Sequence, residues 1–176
     1  MSLIFREGDL LDCNIKVICQ QLNCLAVRPH GLSEAIANKF PYANVYSKRR
    51  SIGNRNLAIR EDQGIPGNIV VSLPLKINDP IVIGLYSQFD YGKIGRYNGL
   101  YKLETGEMRV QWFCQCLVNL GNFLISNNLK EVAFPYQIGC GLAGGDWSIY
   151  LEILNNFAKQ SKDNFKVYII TLNKKI

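Results

Sequence analysis

A single histidine, His30, occurs in the 176 residues. Catalytic zinc sites draw on several nitrogen ligands, so no resident metal is expected here. No apolar run approaches the roughly 20 residues of a membrane span, which argues against a membrane partner. The first twelve residues include Arg6, Glu7 and Asp9, unlike a secretory leader with its unbroken apolar centre. The six cysteines contain no C-x-x-C pair, the spacing that zinc and redox sites favour. Low-complexity stretches, internal repeats and Ser/Gly/Pro-rich linkers are also missing. That leaves a single domain over 1–176.

What is present suits a sizeable core. Apolar residues make up 48% and charged residues 19%, which excludes a disordered chain. A chain of this length buries roughly 70% of its unfolded surface and needs no disulfide scaffold. Cys19, Cys24, Cys114, Cys116 and Cys140 sit in or beside apolar segments. They read as buried reduced thiols of a cytoplasmic or nuclear protein. The net charge of +6 is compatible with an anionic ligand without demanding one.

Short runs rich in Val and Ile predict strands over 3–5, 15–19, 68–73, 81–86, 131–134 and 166–172. Three of these, 68–73, 81–86 and 166–172, are nearly continuous apolar runs, as in strands buried on both faces. Leu32, Ala35, Ile36 and Phe40 fall on one helical face. Over 106–126 a stripe of Met108, Trp112, Phe113, Cys116, Leu117, Leu120, Phe123 and Leu124 predicts a long helix, with Arg109, Gln111, Gln115, Asn119 and Asn122 off the stripe. A last helix is predicted over 146–159, with Trp147, Tyr150, Leu151, Leu154, Phe157 and Ala158 on its apolar face. Alternating strands and helices imply an α/β layered domain with a largely parallel or mixed sheet. Ligands of such sheets bind beyond the carboxyl ends of the strands.

Three segments that follow strands have the residues for chemistry. Ile138-Gly139-Cys140-Gly141-Leu142-Ala143-Gly144-Gly145 leads into the last helix. Its glycines let backbone N–H groups converge on an anion, and the helix dipole adds to the effect. The spacing matches neither the Walker loop nor the dinucleotide fingerprint. Asp146 reads either as the cap of that helix or as a carboxylate beside a bound phosphate or ribose. Asn23-Cys24-Leu25-Ala26-Val27-Arg28-Pro29-His30-Gly31 joins a strand to the first helix. Asn23 reads as a structural amide or as a hand for a ribose hydroxyl. His30 reads as a solvated side chain or as a base, and Arg28 as solvated or phosphate-pairing. Gly8-Asp9-Leu10 is turn chemistry, and its acid can also accept from an exocyclic amine. Lys48, Arg49, Arg50, Arg55 and Arg60, near Tyr42 and Tyr46, form a basic run that is a solvated face or a nucleic-acid contact. Gln88, Tyr97 and Tyr101 lie in the long segment 87–105, which reads as a lid or a substrate wall.

Taken in order, the three segments resemble the macro domain, the ADP-ribose-binding family, and the likeness spans nearly the whole chain. Gly8-Asp9-Leu10 is similar to its adenine-reading element, Asn23 to Gly31 to its ribose-facing first loop, and 138–145 to its phosphate-cradling second loop. Gly139-Cys140-Gly141-Leu142 is similar to the branch of terminal ADP-ribose protein glycohydrolase and the ADP-ribose 1″-phosphate phosphatases. The resemblance implies a three-layer α/β/α fold with a mixed central sheet. It implies that Asp9 and the Leu10 backbone hold adenine, and that Gly139, Cys140, Gly141, Leu142, Ala143, Gly144 and Gly145 hold the diphosphate. Asn23, Arg28, His30, Gly31 and Gln88 would face the rest of the ligand.

Hydrolysis at the distal ribose is the expected activity, on an ADP-ribosylated macromolecule or on ADP-ribose 1″-phosphate, with no cofactor. Asp146 or His30 would be the base and Asn23 would orient ribose or water. Two departures stand out. Arg28-Pro29-His30-Gly31 replaces a glycine-rich first loop, and Ala143 stands where the branch has its acid. Lys93 lies in the region of the branch's partner lysine. The alternatives are an ADP-ribose reader without turnover and a nucleic-acid-binding protein that uses 48–60.

Overall fold

Period-two alternation along the strands assigns neighbouring residues to opposite faces of one sheet. In the computed structural model, which describes residues 2–95 and 104–172, Val17 and Cys19 of β2 (Val17–Asn23) pack in one apolar cluster and Ile18 in another. Ile83 and Leu85 of β4 (Ile81–Gln88) join the first cluster, and Val82 joins the second. In β5 (Glu131–Pro135) and β6 (Lys166–Thr171), Val132, Phe134, Val167 and Ile169 go to the first, and Ala133, Tyr168 and Ile170 to the second. The first cluster is closed by α2 (Gly106–Ser126) and α3 (Trp147–Gln160), the second by α1 (Leu32–Lys39) and the turns that follow it. The sheet therefore lies between two helical layers, the three-layer α/β/α arrangement.

With β1 (Ile4–Glu7) and β3 (Ile69–Ser72) the six strands run in the order β1-β6-β5-β2-β4-β3. β3 is antiparallel to β4 and every other pair is parallel, which makes the sheet mixed. β3 was expected to be buried on both faces. It is an edge strand, with Ile69, Val70 and Val71 only half-buried. β2 runs past Cys19 through Gln20, Gln21, Leu22 and Asn23, where Gln20, Gln21 and Asn23 hid the strand end. A register shift at Leu22/Asn23 brings Asn23 opposite Gln88.

α2 spans the expected residues because Thr105 caps it, its hydroxyl accepting from the Met108 amide. Phe113, Cys116, Leu117, Leu120 and Leu124 are buried, while Met108, Trp112 and Phe123 are half-buried. Arg109, expected off the stripe, is buried. In α1 the buried residues are Ile36 and Ala37, followed by Phe40, whereas Leu32 and Ala35 are exposed. In α3 Tyr150, Leu154, Phe157 and Ala158 are buried, and Trp147 and Leu151 are half-buried. All six cysteines are free, but Cys114 and Cys140, expected to be buried, are half-exposed along with Cys13.

Candidate functional site

The loops that leave β2, β4 and β5 enclose a cleft of about 820 Å³, within the size range of small-molecule sites. It lies at the carboxyl ends of parallel strands, where open α/β sheets bind ligands. The first loop contributes Asn23, Ala26, Arg28, Pro29, His30 and Gly31, and the stretch after β4 contributes Gln88, Tyr91 and Gly92. The second loop contributes Ile138, Gly139, Gly141, Leu142 and Ala143. Arg28 and His30 line the cleft and no Asp or Glu does among the described residues, so its wall suits an anion.

Backbone donors reinforce this. Gly31 is the N-cap of α1 at φ +60° and offers no side-chain cap. The Glu34 amide turns back onto the Gly31 carbonyl, whereas the Leu32 and Ser33 amides have no acceptor among the described residues and are left for a ligand or water; both residues line the cleft. In the second loop the Cys140, Gly144 and Gly145 amides donate to the carbonyls of Gln137, Gly141 and Gly139. The amides of Gly139, Gly141, Leu142 and Ala143 donate to no acceptor among the described residues. Gly139 is forced to be glycine. It sits at φ +78°, and a Cβ there would lie 2.7 Å from Tyr150 Cε1 and 2.8 Å from Gln21 Oε1.

Polar side chains shape the first loop from behind. Asn23 is buried; its Oδ1 accepts from the amides of Leu25 (3.2 Å) and Ala26 (2.7 Å), and its Nδ2 donates to the Tyr46 hydroxyl (3.2 Å). Asn56 Oδ1 accepts from the Val27 and Arg28 amides at 2.9 and 3.0 Å. Arg49 donates to Ala26 O (2.6 Å) and Asn23 O (2.9 Å), and its guanidinium lies 4.7 Å from the Tyr46 ring centroid. This corrects the basic run. Arg49 is buried inside the protein and Arg50 forks onto Asp62, leaving Lys48, Arg55 and Arg60 exposed. The electrostatic footprint for nucleic acid is reduced accordingly.

The cleft brings together Asn23, Arg28, His30, Gly31, Gln88, Gly139, Gly141, Leu142 and Ala143 from the expected set. The other expected residues stand outside its lining. Asp9 caps a 3-10 turn, accepting from the Leu11 amide, and Leu10 is buried in the core. Asp146 is exposed and caps α3, its carboxylate accepting from the Ser148 amide (2.9 Å) and hydroxyl (2.7 Å). Those bonds, the hydroxyl first, hold the Asp146 carboxyl below its ordinary range. Cys140, Gly144 and Gly145 also lie outside the lining. Burial, then the nearby Asp146, pushes the Cys140 thiol up to about 11, so at neutral pH it is a poor nucleophile. Lys93 is exposed, and its stem lies over Gly144. Tyr97 and Tyr101 lie outside the described residues.

Several residues at the site were not expected there from the sequence. Tyr46, Asn56 and Tyr136 line the cleft, and Arg49 and Arg109 brace its loops. Gln21 lines it as well; its Nε2 donates to Gln88 Oε1 and its own Oε1 is buried without a partner among the described residues.

No protein-family profile matches the sequence, and no curated protein matches it. Solved structures do match. The macrodomain of Mycobacterium tuberculosis DarG superposes with a TM-score of 0.71 at 18% identity, covering 96% of each chain. The Oceanobacillus iheyensis macrodomain with ADP gives 0.66 at 15%, covering 97% of this chain and 83% of that one. The Trypanosoma brucei macrodomain in complex with ADP-ribose gives 0.64 at 12%, covering 99% of this chain and 65% of that one. The chain has the macro-domain fold.

Proposed function

We propose that the cleft binds ADP-ribose and that the chain hydrolyses a bond at the distal ribose, as in the branch of terminal ADP-ribose protein glycohydrolase and the ADP-ribose 1″-phosphate phosphatases. The observation that carries this reading is the ring of donors. Among the described residues, four second-loop amides without acceptors and the uncapped end of α1 surround a cleft lined by Arg28 and His30 and by no carboxylate. A diphosphate meets those donors without an opposing charge. The structural neighbours solved with ADP and with ADP-ribose support the same ligand.

Roles follow from placement. The second-loop amides take the diphosphate. Asn23 shapes the first loop, its side-chain oxygen already occupied by two amides. His30 is the base, because Asp146 is outside the lining and spent on a helix cap. A neutral imidazole takes a proton from water as the water oxygen bonds to ribose C1″. The bond from C1″ to the leaving group breaks with its electron pair going to the leaving oxygen. Arg28, which also lines the cleft, offers a cation to the anionic ligand.

Calorimetric titration with ADP-ribose, with AMP as the control, tests binding; His30→Ala then tests turnover. Tight binding of ADP-ribose with weaker AMP binding, and turnover lost in His30→Ala with binding retained, is the expected result. No ADP-ribose binding overturns the reading. A second reading, a module that binds ADP-ribose without turnover, is favoured by Ala143 standing where the branch has its acid. It predicts binding with no product formed by the unsubstituted protein.

A further inference from the structure

We propose that Arg109 is the positioning residue that holds two walls of the cleft at a fixed separation. Its placement is costly where it stands. It is 3% exposed and lies in the first turn of α2, where a cation opposes the helix dipole and burial strips its hydration. Neither helix stability nor apolar packing accounts for an arginine there. Its hydrogen bonds do.

The guanidinium makes four bonds with one planar fork. Nε donates to Glu104 Oε1 at 2.8 Å. Nη1 donates to Gly92 O at 2.8 Å and to Ala143 O at 3.1 Å. Nη2 donates to Asp90 O at 3.3 Å. Gly92 and Ala143 belong to different walls, the stretch after β4 and the second loop, and both line the cleft. One nitrogen therefore bridges them directly. Glu104 completes the brace from the other side, its carboxylate accepting from the Phe89 amide at 2.8 Å and the Asp90 amide at 3.2 Å. The buried pair thus satisfies carbonyls and amides of one wall together and ties them to a carbonyl of the other. A lysine keeps the charge but has no fork with which to reach the same carbonyls.

Hydrogen exchange and ligand titration on the full chain test this with R109K. Exchange does not depend on the ligand. The Phe89 and Asp90 amides on one wall and the Gly144 and Gly145 amides on the other are expected to exchange at least tenfold faster, with β5 and β6 unchanged. The affinity half rests on the ADP-ribose reading above: the Kd for ADP-ribose is expected to rise at least tenfold while the thermal midpoint stays within a few degrees. Acceleration confined to one wall, or a Kd within twofold of the unsubstituted protein, overturns the proposal. So does uniform acceleration through every strand with a matching fall in midpoint, since that is the signature of a merely structural role. If the unsubstituted protein does not bind ADP-ribose, the functional reading fails and exchange alone decides on the brace. If R109K does not fold, E104Q is judged by the same two-wall criterion.

Discussion

Gly139→Ala and Gly141→Ala differ by one methyl at two positions of the same loop, and the structure assigns them opposite consequences. Gly139 sits at φ +78°, with a built Cβ 2.7 Å from Tyr150 Cε1 and 2.8 Å from Gln21 Oε1. The left-handed backbone costs a residue with a Cβ about 1–2 kcal/mol. Forcing a methyl against a packed ring adds about 1–3 kcal/mol. Tyr150 cannot give way easily, because it is buried against Phe113 with centroids 4.8 Å apart. The sum, about 2–5 kcal/mol, corresponds to a fall in thermal midpoint of about 4–20 °C for a domain of this size. Gly141 has no atom within 4 Å of its built Cβ, so its substitution stays within about 0.5 kcal/mol. Because Gly141 lines the cleft, that variant weakens ADP-ribose binding instead. Differential scanning fluorimetry with and without ADP-ribose reads both effects. Equal midpoints for the two variants, or a loss in Gly141→Ala as large as in Gly139→Ala, would refute the account of the loop.

Arg49→Met leaves the carbonyls of Asn23 and Ala26 without their donors and is expected to cost about 2–4 kcal/mol in urea unfolding; a neutral result would return Arg49 to the exposed basic run. Asp62 is held down at about 2, first by the Arg50 side chain and then by its amide. That depressed value stabilises the fold above the ordinary carboxylate range near pH 4 and the gain is lost as pH falls toward 2. The midpoint gap between the unsubstituted protein and Asp62→Asn should therefore close as pH falls from about 4 to 2, and a gap constant with pH would contradict it. Asp146→Ala removes the cap of α3, so it should lower the midpoint modestly and leave turnover intact. A large loss of turnover with an unchanged midpoint would place Asp146 in the chemistry and displace His30.

The elements were legible wherever burial follows a period. α2 and all the strands but β2, which extends four residues beyond its expected end, appear close to the expected places, since β-branched runs and an apolar stripe carry their own signal. β3 was misread because an apolar run shows that a strand is buried without showing which edge it occupies. Tyr46, Asn56 and Arg49 reach the first loop through tertiary contacts, which no local pattern records. Arg109 is different. It stands in register with Phe113, Cys116, Leu120 and Leu124 on the buried face of α2, although it was set off the stripe as a charged residue. A cation on a buried stripe is itself a signal, because it must find acceptors there. The helix entrances carried a similar one. α1 begins after Gly31, which leaves the Leu32 and Ser33 amides without acceptors among the described residues, while α3 begins after Asp146, which occupies an amide of its own helix. A helix capped by glycine at a strand-end loop is the better candidate for an anion than one capped by a carboxylate. The open amides thus lie at α1, beside Arg28 and His30, and not at the helix of Asp146 into which the glycine loop leads.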